Sequence, residues 1–189
     1  MLAEINAQEL AAIRRAVAGD LDAFRILVES HQTAVFRFAA AILRDAHAAE
    51  DIAQETFLTA FRNLARFDPA RAAFATWLLA IARNLALNIL QKQKQKPYST
   101  LLADPPETAI ASEPEENLAQ AEWRRRLDEA LDQLPPSQKT AFILAEFLEL
   151  PCEQIARIEE TQPSTVRANL TRARERLRSL LHEFSGGYR

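Results

Sequence analysis

Residues 152–181 read CEQIARIEETQPSTVRANLTRARERLRSLL. Ile155, Ala156 and Ile158 come first, a polar break follows at Glu160-Thr161, and Val166, Leu170, Ala173, Leu177 and Leu181 then recur at helical spacing. The pattern predicts two helices crossing at a tight turn. A helix-turn-helix needs a small residue at the crossing and an apolar residue on the second helix that packs back on the first; Ala156 and Val166 fall at those places. Thr161 is placed to cap the second helix, and Pro163 fits its first turn. Two residues depart from the pattern. Glycine is usual at the turn because positive φ is easy for it, yet Glu160 stands there, and Glu159 occupies a place where an apolar residue is expected. The turn is therefore either strained by about 1 kcal/mol or differently shaped.

With that apolar stripe buried, Ser164, Arg167, Ala168, Thr171, Arg172 and Glu175 face outward or flank it, and arginines follow at 174, 176 and 178. Short polar side chains near a helix start can reach base edges in a major groove, and arginines can reach bases or phosphates. A solvated amphipathic helix would show the same composition.

Working outward, three glycines in 189 residues leave little turn chemistry for hairpins, and the abundance of Ala, Leu, Arg, Glu and Gln favours helix. An all-α protein is expected. Charge is sorted along the chain: Arg83 to Lys96 holds four bases and no acid, whereas Pro97 to Glu122 holds six acids and no base. Prolines at 97, 105, 106 and 114 prevent a sustained helix there. Residues 97–117 thus read as an acidic flexible linker joining two small helical domains, 1–96 and 118–184, with a short tail at 185–189. Such a tether leaves the two modules loosely joined.

In the first module Asp20 is a plausible N-cap, with Phe24, Leu27, Val28, Val35, Phe38 and Ile42 on one stripe. A second helix from about His47 carries Ile52, Phe57, Phe61 and Leu64 on its inner face. Asp68-Pro69 breaks the chain, and a third helix from about Phe74 buries Trp77, Leu78, Ile81, Leu85 and Ile89. In the second module a helix over 118–134 buries Leu118, Ala121, Leu127, Ala130, Leu131 and Leu134. Pro135-Pro136 then opens another helix.

Some chemistries are excluded by what the chain lacks. His31, His47 and His182 lie far apart with no ligand or triad spacing, and no Gly-rich phosphate loop exists, so neither catalysis nor a cofactor or metal is implied. Cys152 is the single cysteine, which fits a reducing compartment and a small apolar role. No run approaches the roughly 20 apolar residues of a membrane span, and Met1 to Leu10 lacks the basic start and apolar core of a signal peptide, so a cytoplasmic protein with no membrane insertion is expected. A net charge of −3 does not by itself suggest a nucleic-acid binder.

Two sets of residues carry a family resemblance. Leu134-Pro135-Pro136-Ser137-Gln138-Lys139, Phe142-Ile143-Leu144, Glu153-Gln154-Ile155-Ala156, Ser164-Thr165-Val166-Arg167 and Arg172-Ala173-Arg174-Glu175-Arg176-Leu177 resemble region 4 of extracytoplasmic-function sigma factors. Ala49-Glu50-Asp51-Ile52-Ala53-Gln54-Glu55-Thr56-Phe57, Arg66-Phe67-Asp68, Phe74-Ala75-Thr76-Trp77-Leu78 and Ile81-Ala82-Arg83-Asn84 resemble region 2. The likeness spans about Gly19 to Lys96 and Leu118 to Leu181. It implies a non-enzymatic subunit that binds core RNA polymerase and directs it to particular promoters.

The same resemblance implies roles for residues. Glu50, Asp51, Gln54 and Glu55, on bare charge a solvated face, would dock the clamp helices of the polymerase β′ subunit. Asp68, Arg71, Phe74, Trp77, Arg83, Asn84 and Asn88 would meet the −10 DNA, the loop from Asp68 to Ala73 holding a flipped base. Related primary sigma factors carry two tryptophans where this chain has Trp77-Leu78, so weaker melting and a more stringent promoter are implied; plain core remains the alternative for Trp77. Stacking on unpaired bases is typically worth about 1–3 kcal/mol per base. Ser164, Thr165, Arg167, Ala168, Thr171 and Arg172 would read the −35 element, with the same module on the β flap. The linker would thread toward the RNA exit channel or serve as a plain tether. An anti-sigma factor, a membrane-anchored one included, is the implied regulator. An ordinary helix-turn-helix repressor or activator is the competing reading, opposed by the residues from Glu50 to Asn84.

Overall fold

Asp20 starts the first long helix as its spacing predicts: one carboxylate oxygen accepts from the Ala23 amide at 3.0 Å and the other from Arg15 Nη2 at 2.6 Å. These bonds, the Ala23 amide foremost, hold the Asp20 carboxyl below its ordinary pKa. Asp45 caps the next helix in the same way through the Ala48 amide, and caps of this kind stabilise by about 1 kcal/mol each. The protein, seen in a computed structural model, is described over residues 7–95 and 118–185. Its elements are α1 (Ala7–Val17), α2 (Leu21–Leu43), α3 (Ala46–Asn63), a 3-10 turn at Leu64–Arg66, α4 (Phe74–Gln95), α5 (Leu118–Asp132), α6 (Pro136–Glu146), α7 (Cys152–Ile158) and α8 (Pro163–Ser185). All regular structure among the described residues is helical, in two groups, as the composition requires. The acidic segment 97–117 and residues 186–189 lie outside the described residues.

In the first group α1, α2, α3 and α4 enclose Leu27, Val35, Phe38, Ile42, Phe74, Leu78 and Ala82. In the second, α5 to α8 bury Leu131, Ile143, Leu144, Ile155, Ile158, Val166 and Leu170. Each large apolar side chain so buried stabilises the fold by roughly 1.5–3 kcal/mol. By length and composition α2 could cross a membrane. Its buried stripe packs on α1, α3 and α4, which marks it as a core helix.

Four expectations are corrected. Phe61 is exposed and stacks edge-on against Phe24 at 4.9 Å, since α3 turns its inner face at Ile52, Thr56 and Ala60 instead. Ala121 is exposed, the buried stripe of α5 starting only near its C-terminal half. Thr161 lies one residue too early to cap α8: the Val166 amide donates to Gln162 O, so Gln162 precedes the first turn at Pro163. The modules are also not loosely joined.

One apolar core runs through both groups, from Val35, Leu78 and Leu79 to Leu144, Leu150, Ile155 and Ile158. In this seam α6 packs on α2 and α7 on α4. Lys139 Nζ, almost fully buried, donates to Ile42 O at 2.9 Å and pairs with Asp132 at 2.9 Å. Arg44 pairs with Asp132 and, at 3.7 Å, with Asp128. Burial, opposed by Arg44, pushes the Asp128 carboxyl above its ordinary pKa.

Candidate functional site

The turn between α7 and α8 resolves the question raised by its two glutamates. Glu160 adopts φ 53°, the left-handed conformation that glycine would take more easily. The turn keeps its ordinary shape and stores strain of about 1 kcal/mol. Its neighbour Glu159 turns inward against α4, where burial raises its pKa to about 7 despite the nearby Arg83. Glu159 Oε1 and Arg83 Nε are both buried with no hydrogen-bond partner among the described residues.

A carboxyl raised in this way stabilises the fold below about pH 4.5 and loses that contribution as pH rises through about 7. Glu159→Gln mimics the protonated group. The variant is therefore expected to match the parent in denaturant titrations at pH 4.5 and to exceed it by on the order of 1 kcal/mol above pH 7, after allowance for screening at a partly exposed site. A gap that does not change with pH would rule out ionisation of Glu159 as its source.

Beyond the turn, α8 buries Val166, Leu170, Ala173 and Leu177, and this fixes its outer face. Ser164, Thr165, Arg167, Ala168, Thr171 and Arg172 are all exposed along it. Arg167 reaches back to Glu153 of α7 at 3.5 Å, and the Thr171 hydroxyl donates to Arg167 O at 3.1 Å. Short polar groups at the start of the helix and arginines one and two turns on form an unobstructed surface that a groove could receive.

On α3, Glu50, Asp51, Gln54 and Glu55 are all exposed. Beside them lies a groove of about 500 Å³ lined by Leu21, Phe24, Val28, Phe57, Leu58 and Phe61. Leu21, Leu58 and Phe61 expose much of their side chains there. The sequence pattern missed this apolar strip. Its signal was the pair Leu58 and Phe61, which follow Gln54 and Glu55 by one helical turn or more on the same helix.

The residues assigned to −10 DNA are less uniformly placed. Asp68, Arg71, Asn84 and Asn88 are exposed. Asp68 accepts from the Ala70 amide at 2.9 Å and so shapes its loop. Phe74, however, is fully buried, stacked edge-on with His31 and Phe67, and has no surface to offer a base in this arrangement. Trp77 is half-buried, tilted against Phe67 at 5.4 Å and Phe74 at 5.7 Å, so the aromatic cluster supports it from beneath. Arg83 is half-buried under α7. Across from Arg71 and Thr76 stand Glu153, Gln154 and Arg157 of α7, with a cleft of about 280 Å³ between them.

Comparison with known proteins finds the two modules in the same order. Residues 27–96 match sigma-70 region 2, and residues 124–177 match sigma-70 region 4. The chain is 33% identical to the RNA polymerase sigma-H factor of Pseudomonas aeruginosa, over 93% of each chain. It is 30% identical to the ECF RNA polymerase sigma factor SigW of Bacillus subtilis, over 90% of this chain and 95% of SigW. Among solved structures, CnrH in complex with the cytosolic domain of CnrY shares the fold with a TM-score of 0.72 at 22% identity, covering 93% of this chain and 98% of CnrH. The sigma factor RpoE from Bartonella quintana does so at 0.68 and 24% identity, covering 84% of this chain and 96% of RpoE. With whole-length relatives and both regions in register, the chain belongs to the extracytoplasmic-function family of RNA polymerase sigma factors, which bind core polymerase and direct initiation at particular promoters.

Proposed function

We propose that the labour is divided between the two modules as their surfaces suggest. Residues 1–96 dock on the polymerase β′ clamp helices through Glu50, Asp51, Gln54 and Glu55 and engage the −10 element through Asp68, Arg71, Trp77, Arg83, Asn84 and Asn88, with Phe74 as the support beneath Trp77. Residues 118–184 read the −35 element through Ser164, Thr165, Arg167, Ala168, Thr171 and Arg172 and contact the β flap, and 97–117 connects the two. The observation that carries this reading is the joint exposure of all six residues on one face of α8, behind a helix-turn-helix whose strained turn is retained. The protein works as a binding subunit, without catalysis of its own, in the cytoplasm where its polymerase is. Regulation by an anti-sigma factor is supported by RpoE, which was crystallised with the anti-sigma factor NepR.

Sequencing the transcripts that core polymerase makes with and without the protein tests the reading. A set of start sites sharing upstream elements supports it; unchanged start sites overturn it. Arg167→Ala and Arg172→Ala are each expected to lower transcription from such a promoter by about 1–3 kcal/mol of binding, the loss confined to one base position if the arginine reads an edge and uniform if it meets phosphate. Normal transcription by both variants would remove the α8 face from the assignment.

A further inference from the structure

The aromatic cluster under Trp77 is anchored from outside the stretch that matches region 2. Phe67 and Phe74, the two rings against which Trp77 tilts, meet each other edge-on at 5.3 Å. Phe74 in turn stands edge-on to the imidazole of His31 in α2 at 5.5 Å. His31 is held by Glu9 of α1, whose Oε1 lies 2.6 Å from Nε2. A carboxylate can only accept, so Nε2 carries the proton and donates it to Glu9. Helix α1, residues 7–17, ends ten residues before the match begins at residue 27.

Packing alone does not fix the imidazole. A cleft of about 370 Å³ opens beside it among Ser30, Ala34, Val35 and Ala75, so one side of the ring has room to turn. The bond to Glu9 removes that freedom. It is short and well shielded, the His31 and Glu9 side chains being 11% and 21% exposed, and a hydrogen bond to a carboxylate is of the stronger, charge-assisted kind. Helix α1 reaches the cluster by a second route as well: it packs on the 3-10 turn at Leu64–Arg66, where the Phe67 amide donates to Leu64 O at 3.0 Å. Ala12, Ile13 and Ala16 seat α1 independently, so cutting the Glu9 bond need not release the helix.

We propose that Glu9 and His31 are positioning residues for promoter opening: the bond between them fixes the imidazole under Phe74, and Phe74 with Phe67 then holds Trp77 at the angle at which it meets the −10 strand. The proposal rests on the assignment of Trp77 to that element made above. Neither Glu9 nor His31 touches DNA. Their effect is preorganisation: a ring that must be ordered as the base arrives gives up part of the stacking energy to that ordering.

The experiment uses the full chain with core polymerase and a duplex promoter found by the transcript sequencing above, with 2-aminopurine at one −10 position of the non-template strand to report opening. The parent, Trp77→Ala, Glu9→Ala, Glu9→Gln, His31→Phe and the double variant Glu9→Ala with His31→Phe are compared for opening rate, core affinity and helical content. In a second arm Trp123→Phe leaves Trp77 as the one tryptophan, and its quenching by acrylamide is read in the free protein. His31→Phe keeps a ring against Phe74 but has no donor for Glu9. Glu9→Ala and His31→Phe are each expected to slow opening about three- to tenfold, a part of what losing a stacked base costs. The double variant is expected to be no slower than either, since both cut the same bond. Quenching of Trp77 rises in all three, core affinity stays within about twofold, and Glu9→Gln, whose amide oxygen still accepts from Nε2, restores most of the opening rate. Normal opening, unchanged quenching, defects that add in the double variant, or no recovery in Glu9→Gln overturns the proposal. An equal loss of core affinity and of opening reduces the pair to a contact of the fold and overturns it too. If Trp77→Ala itself opens the promoter normally, the −10 assignment of Trp77 fails and the proposal with it; if Trp77→Ala is defective while the Glu9 and His31 variants are not, the proposal alone fails.

Discussion

Reversing the charges of Asp51 and Glu55 to lysine is expected to weaken binding to core polymerase about 100-fold or more while the helical content stays unchanged. Both side chains are exposed on α3, and their recorded bonds are slight: Glu55 meets Arg62 at 3.7 Å and the Thr59 hydroxyl at 3.4 Å. The fold therefore loses little. A basic partner surface would instead meet two like charges, and such juxtapositions cost several kcal/mol, each 1.4 kcal/mol being a tenfold change. The apolar strip of Leu21, Leu58 and Phe61 beside the patch would still supply non-directional attraction, so binding is weakened and not abolished. Fluorescence anisotropy of the labelled protein against core polymerase measures the change. Unchanged affinity would move the docking surface away from α3.

Lys139→Ala is expected to cost about 2–3 kcal/mol of unfolding free energy, whereas Lys139→Met recovers only the part of that loss that comes from packing. The ammonium is buried, with two partners at 2.9 Å from two different helices. Alanine removes both bonds, strands Ile42 O and leaves the volume of a four-carbon stem empty. Methionine refills the stem volume and so restores the packing, but it too removes both bonds and leaves Ile42 O without its donor. Asp132 is half-exposed and keeps Arg44, so it does not become a stranded charge. Urea titrations of the three proteins decide the point; equal losses for Ala and Met would mean that the charge contributes more than the packing.

What the sequence made legible was whatever depends on spacing within one helix. The outer face of α8 follows from Val166, Leu170, Ala173 and Leu177 at a period near 3.6, and Asp20 announces α2 by the chemistry of its side chain. Helix α1 escaped notice because two of its three buried residues are Ala12 and Ala16, which give almost no hydrophobic signal. Phe74 is buried where the resemblance implies a stacking residue, since a matching aromatic type says nothing about which way its helix faces. The bond of Lys139 to Ile42 O and the pair of Arg44 with Asp132 were beyond reach for another reason: they span 97 and 88 residues of chain, and no local pattern reports a contact of that range.

The continuous core has a further consequence for how long the protein lasts in a cell. Proteases cut a chain at a rate set by the population that opens, when opening and reclosing are fast. Parting the modules uncovers Val35, Leu78 and Leu79 on one side and Leu144, Leu150 and Ile155 on the other, and leaves the seven-residue α7 with fewer neighbours to hold it. Apolar surface of this kind also draws chaperones and promotes aggregation. Degradation then falls most heavily on molecules that have opened without being taken up, and the steady-state level of the protein follows the supply of partners able to cover it.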